Sequence, residues 1–191
     1  TTAMASNLSV GMFTVTVTDF NGCTAETTVQ ITEPPVLSVS SITEDVVCKG
    51  ENTGGATILA AGGTPWYSFQ WDANAGNQTG NQLDNLAAGN YTVTMTDANG
   101  CQITETITIN EPSTALVATT NPEDVTCFGE RNGQIGVTAI GGAIPYQYSL
   151  DGNSYTNSNE LVGLTSGEYV VRVRDDVGCI FTDTVLIEEP A

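Results

Sequence analysis

Along much of the chain, apolar side chains fall on every second residue. Tyr91, Val93 and Met95 alternate with Thr92, Thr94 and Thr96, and further on Tyr169, Val171 and Val173 alternate with Val170, Arg172 and Arg174. A period of two places one set on each face of a strand, so this pattern predicts half-buried antiparallel strands whose outward residues vary freely. The strings Asp19-Phe20-Asn21-Gly22 and Asp97-Ala98-Asn99-Gly100 follow such strands and have the chemistry of a tight hairpin turn, because Asn and Gly tolerate positive φ. Asp175-Asp176-Val177-Gly178 keeps the glycine but lacks the turn asparagine. β-Branched residues dominate, and glycine or proline interrupts every candidate helical window, so the expected class is all-β.

The strand pattern recurs at a fixed period. Gly11, Gly89 and Gly167 are equally spaced, and Cys23, Cys101 and Cys179 keep the same interval, as do Pro34, Pro112 and Pro190. A second block, Cys48, Gly50, Gly62-Gly63 and Tyr67, returns in matching register as Cys127, Gly129, Gly141-Gly142 and Tyr146. The period of roughly 80 residues exceeds that of solenoid repeats, about 20–45 residues, and suits one small domain per copy. The expected organisation is residues 1–33 as the C-terminal strands of a truncated repeat, then complete repeats at 34–112 and 113–191. Glu33-Pro34-Pro35, Glu111-Pro112 and Glu189-Pro190 mark the boundaries, since proline removes a ladder donor. Leu86-Ala87-Ala88-Gly89-Asn90-Tyr91 and Leu164-Thr165-Ser166-Gly167-Glu168-Tyr169 look like the tyrosine corner of an immunoglobulin-like β-sandwich. Such a sandwich is therefore favoured over a barrel, with the copies strung as beads on a string.

Four Lys plus Arg against 22 Asp plus Glu, with no histidine, give a net charge of −18. That charge excludes nucleic-acid backbones and anionic membranes as partners. Charged residues are only 14% of the chain, which implies a surface of Thr, Asn, Ser, Gln and Gly of the kind found on extracellular β-rods. The five cysteines divide as two per complete repeat plus Cys23. Pairing Cys48 with Cys101 and Cys127 with Cys179 would staple each small core with a bridge of about 4 kcal/mol, leaving the partner of Cys23 outside this sequence. A rival pairing joins neighbours, Cys23 to Cys48 and Cys101 to Cys127, and free buried thiols are a third option; the cysteine count does not decide among them.

The order Cys-x-Gly, Gly-Gly-x-x-x-Tyr, Leu-x-x-Gly-x-Tyr and Asp-x-Asn-Gly-Cys, closing on Glu-Pro, is similar to the SprB repeat of Bacteroidetes cell-surface adhesins and runs through essentially the whole chain. Trp66 stands where that family usually has a second proline, and Leu150 replaces the tryptophan matched by Trp71. The resemblance implies a place in very large surface proteins associated with gliding motility and exported by type IX secretion. It also implies an extracellular location, attached to the outer membrane through other parts of the protein. No secretory signal, apolar spanning run or sorting domain is visible, so the chain is expected to be internal to something longer.

Candidate chemistry is sparse. Without histidine there is no Ser-His-Asp or Cys-His arrangement, and the cysteines lack the CxxC spacing of zinc or redox motifs, so no catalytic residue is assigned and no enzyme is expected. Asp19, Asp97 and Asp175 recur at strand ends, where capping of a hairpin turn explains them. No cofactor is expected except a structural calcium ion, for which the junction acids Glu33, Glu44, Asp45, Glu111, Glu123 and Asp124 are candidate hard-oxygen ligands. Asp183-Thr184-Val185 resembles a Bacteroidetes O-glycosylation sequon with Thr184 as the acceptor. Thr92, Thr94 and Thr96 beside Thr104, Thr106 and Thr108 suggest a hydroxyl ladder, and Trp66, Tyr67, Trp71, Tyr146 and Tyr148 a carbohydrate platform. The competing readings are β-propensity for the threonines and core packing for the aromatics. The expected role is a rigid adhesive spacer whose partners are neighbouring repeats, with surface polysaccharide or motility-machinery proteins as further candidates and no membrane insertion. The alternatives are a polysaccharide-binding module or an accessory region of a large secreted glycosidase.

Overall fold

A computed structural model describes residues 4–190 as strands and connecting turns, with one short 3-10 turn at Ala73–Ala75. The outermost residues of the expected segments 1–33 and 113–191, namely 1–3 and Ala191, lie outside the described residues. The chain opens with a hairpin of β1 (Gly11–Thr18) and β2 (Thr24–Ile31), in register from Gly11 opposite Ile31 to Thr18 opposite Thr24. Residues 32–37 carry no strand.

Six strands follow: β3 (Ser38–Glu44), β4 (Gly54–Ala61), β5 (Ser68–Trp71), β6 (Gln82–Leu86), β7 (Gly89–Thr96) and β8 (Gln102–Ile109). They form two sheets, ordered β3-β4-β6 and β5-β7-β8. After residues 110–116 the arrangement repeats with β9 (Val117–Glu123), β10 (Gly133–Ile140), β11 (Gln147–Ser149), β12 (Glu160–Leu164), β13 (Gly167–Arg174) and β14 (Ile180–Ile187), as β9-β10-β12 and β11-β13-β14. Placing the first, second and fourth strands in one sheet and the third, fifth and sixth in the other is the division of a pared-down immunoglobulin-like sandwich. The fold is therefore all-β and immunoglobulin-like.

Each unit has its own core, built from the inward set of the period-two pattern. Ile58, Trp71, Leu83, Val93 and Ile109 are buried together in the first, and Ile135, Val137, Leu161, Val171 and Ile187 in the second. The buried Trp71 indole donates Nε1–H to the Gly80 carbonyl at 2.9 Å, which removes the penalty of an unpaired donor in an apolar site. Both expected tyrosine corners are present: Tyr91 Oη donates to the Ala87 carbonyl at 3.0 Å and Tyr169 Oη to the Thr165 carbonyl at 2.9 Å.

The recurrent aspartates cap the last hairpin of each copy. Asp97 accepts from the backbone N–H groups of Thr64, Asn99 and Cys101, each at 2.9 Å. Asp175 accepts from Ala143, Val177 and Cys179, and Asp19 from Cys23. The Thr64 N–H, with smaller help from the other two, holds the Asp97 carboxyl below the usual carboxylate range despite its burial. These bonds tie the β4–β5 loop to the β7–β8 turn at one pole of the unit. At that pole a side chain on Gly62 (φ +69°) would run into the Val36 carbonyl, so the incoming linker packs directly on the end of β4.

Candidate functional site at the joint between repeats

The poles of each unit follow from strand direction. Val46 N donates to the Asn110 carbonyl at 2.9 Å, so the loop after β3 and the end of β8 share one pole. The β7–β8 turn lies at the other, an eight-residue strand away, or about 26 Å at ~3.3 Å per residue. Cys48 belongs to the first pole and Cys101 to the second, whereas a disulfide needs Cα atoms within roughly 4.4–6.8 Å. The expected bridge Cys48–Cys101 is therefore not formed. The same geometry separates Cys127 from Cys179, because Val125 N donates to the Glu188 carbonyl beyond the end of β14.

The bridge in the structure is Cys48–Cys179, with Cα atoms 5.6 Å apart and a sequence separation of 131. It joins the β3–β4 loop of one unit to the β13–β14 turn of the next. This corrects both the intrarepeat pairing and its rival, since Cys23, Cys101 and Cys127 are free and exposed. The beads are stapled to each other.

Both sides of the joint are built locally. On the first, Val47 N donates to Thr53 Oγ1 at 3.0 Å, Glu51 N to the Cys48 carbonyl at 3.0 Å, and Gly50 N to Glu111 Oε2 at 2.8 Å. Lys49 Nζ reaches the linker carbonyl of Ser113 at 2.6 Å. On the second, Asp175 accepts from Cys179 N at 2.8 Å and fixes the turn that presents the sulfur. Between the two units a cleft of about 260 Å³ is lined by Val47, Lys49, Leu116, Ala143, Val177 and Ile180. Cys48 and Cys179 line it too, so the cleft is a partly apolar seam along the crosslink.

Four of the six calcium candidates accept hydrogen bonds within their own unit. Asp45 accepts from Asn110 N at 2.8 Å and Asp124 from Glu188 N at 2.8 Å, while Glu111 accepts from Gly50 and Glu123 from Gln134. Glu33 and Glu44 are exposed. Among the described residues, no group of three or more acidic or cysteine side chains converges as a metal cage. Thr184 is exposed on β14, at the edge of its sheet. Of the threonine ladder, β7 and β8 place Thr92 opposite Thr106, with Oγ1 atoms 3.1 Å apart, and Thr94 opposite Thr104, while Thr96 faces Gln102 and Thr108 faces Asn90. The aromatics form no platform: Trp71 and Tyr148 are buried, and Tyr67 and Tyr146 donate Oη to Gly62 and Gly141 in the loops beneath them. Only Trp66 of the five stands exposed.

The residues missed from sequence are Lys49 and the cleft lining, together with the register of the bridge. Strand counting held the missing signal, because a cysteine past the first strand and one before the last cannot share a pole in this topology.

Comparison with known proteins finds the SprB repeat model at residues 40–76 and 119–154, equivalent parts of the two copies that include Cys48 and Cys127. No curated protein is significantly similar to the chain. Among solved structures, the N-terminal eight Ig domains of Down Syndrome Cell Adhesion Molecule align over 94% of this chain and 28% of that one, at 12% identity and TM-score 0.41. Murine CEACAM1b aligns over 81% of this chain and all of its own, at 12% identity and TM-score 0.29. The chain thus spans less than a third of the first of these. No helix among the described residues is long and apolar enough to cross a membrane.

Proposed function

From the two SprB repeat segments and the joint they flank, we propose that this chain is a load-bearing spacer within a cell-surface adhesin, extending a filament and resisting its extension without catalysing a reaction. A surface repeat used in adhesion or gliding is pulled along its length, so its working property is how much chain it releases under force. The observation that carries the reading is the bridge across the joint.

Force applied between Pro34 and Pro190 follows the short segment to Cys48, crosses the sulfurs, and leaves by the short segment that follows Cys179. The loop of 131 residues closed by the two cysteines is shielded from tension. At ~3.5 Å per extended residue, it represents about 460 Å of hidden length. Single-molecule extension between Pro34 and Pro190 is expected to show none of this length under oxidising conditions and all of it after reduction. Equal contour lengths in the two conditions would refute the spacer mechanism. Both Ig-like units unfolding in sequence before reduction would do the same.

A further inference from the structure

We infer that the Cys48–Cys179 bridge is one rung of a ladder, in which the first cysteine of every repeat bonds the second cysteine of the repeat that follows. Cys101 is then the attachment site for the first cysteine of a preceding repeat, and Cys127 for the second cysteine of a following one. The inference rests on the bridge and the internal repeat and does not depend on the surface role proposed above.

The bonded and free cysteines occupy equivalent positions. Cys127 is Cys48 one repeat on, and Cys101 is Cys179 one repeat back. Their local frames agree: Glu51 N donates to the Cys48 carbonyl at 3.0 Å and Glu130 N to the Cys127 carbonyl at 3.1 Å. Asp97 receives Cys101 N at 2.9 Å, as Asp175 receives Cys179 N at 2.8 Å. The backbone that presents the sulfur is thus already set at the open poles. What differs is cover. Cys179 is 8% exposed inside the joint, whereas Cys101 and Cys127 are open to solvent.

The frame around each first cysteine is closed within its own repeat. Glu111 and Glu189 each accept from the glycine two residues after a first cysteine, Gly50 at 2.8 Å and Gly129 at 3.3 Å. The open poles also carry bare aromatics. Phe128, in the place of joint-forming Lys49, is 79% exposed beside Cys127, and Trp66, on the loop tied to the Cys101 turn, is 89% exposed. At the formed joint the equivalent positions, Lys49 and Pro145, stay exposed, so the repeated cysteine frames, and not burial of these side chains, carry the inference.

No bond between Cys101 and Cys127 of the same chain satisfies these sites, because they lie at the outer poles of the two units. Each rung forms by thiol–disulfide exchange with a disulfide oxidant. One cysteine thiolate attacks the oxidant to give a mixed disulfide, the second displaces the remaining oxidant thiol, and two reduced thiols leave with the two electrons and two protons.

The test is a tandem duplicate in which residue 190 of the chain is followed by a second copy of residues 35–191. Pro190 is the repeat equivalent of Pro34, so the junction keeps the period. After refolding with oxidised glutathione, nonreducing peptide mapping is expected to find Cys48–Cys179 in each copy and a new bridge from the first copy's Cys127 to the second copy's Cys101. Thiol titration should count three free cysteines, where an array without the new rung would have five. Cys127→Ser in the first copy should free the second copy's Cys101 and leave the other bridges intact. Recovery of Cys48–Cys179 with Cys127 and Cys101 both free or joined elsewhere overturns the ladder alone. Absence of Cys48–Cys179 as well overturns the bridge on which both readings stand.

Discussion

The hairpin β1–β2 and the hairpin β7–β8 are copies of one sequence pattern with opposite fates. Val15 and Val17 are 47% and 64% exposed, whereas their equivalents Val93 and Met95 are wholly buried. Both hairpins close with the same turn, and both pair along the full length of their strands. The difference is the opposing sheet: β3, β4 and β6 cover β7–β8, and among the described residues no such sheet lies over β1–β2. Alternation decides which side of a strand is apolar, but removal of that side from water needs a second layer, at roughly 1.5–3 kcal/mol for each large side chain. The contrast extends to covalent protection, because β1–β2 lies outside the loop closed by Cys48–Cys179 and every other strand except β3 and β14 lies within it.

The largest expected effect comes from opening that loop. Closing 131 residues restricts the unfolded chain by up to about 5 kcal/mol in the loop-entropy description. Cys179→Ser should therefore destabilise the two sandwiches strongly in chemical denaturation, while hydrogen exchange in β1–β2 stays as it was. Equal loss of protection in the hairpin would break the contrast between the regions.

Next comes the core itself. Met95→Ala should cost about 2–5 kcal/mol, as a buried large-to-small change does, and Val17→Ala at the equivalent position should stay within about 0.5 kcal/mol. Comparable denaturation midpoints for the two variants would mean that the first hairpin is covered in solution.

A smaller effect separates the hairpins at their first inward residue, Tyr91 in one and Phe13 in the other. Tyr91→Phe removes the Oη donation to Ala87 and is expected to cost about 1 kcal/mol, whereas Phe13→Tyr should gain nothing measurable. Thermal melts of the two variants check this.

The smallest expected effect is a pH dependence confined to the sandwiches. The N–H groups of Ser154 and Asn153, with the Ser149 hydroxyl, lower the Asp151 carboxyl from its ordinary 3.8 to about 2. A depressed folded value means that its contribution is complete above the unfolded value and is lost as pH falls from about 4 towards 2. Asp97 acts in the same direction through Thr64. Melting temperature should thus fall over that window in the parent chain, and Asp151→Asn should flatten the fall; an unchanged slope would remove this carboxylate from the account.

Much of the fold was legible in the amino-acid order. The strands follow from the period-two placement of residues such as Tyr91, Val93 and Met95, the turns from Asp-x-Asn-Gly, and the repeat from the constant spacing of its glycines, cysteines and prolines. These are local properties, set by side-chain direction along a strand and by the φ that glycine and asparagine tolerate. The tyrosine corners were legible because donor and acceptor lie only one turn of chain apart, Tyr91 on Ala87 and Tyr169 on Thr165.

The joint was not legible in this way. Whether Cys48 meets Cys101 or Cys179 depends on which pole of a sandwich each occupies, and that is set by the order in which six strands divide between two sheets. Along the chain Cys101 is much nearer to Cys48 than Cys179 is, yet an eight-residue strand holds the first pair about 26 Å apart while a short linker brings the second pair into contact. The sequence by itself determined the strands, the turns and the beads, because their causes are local. Only the tertiary structure decided that the beads are covalently joined, because disulfide formation depends on distance in space and strand topology fixes that distance.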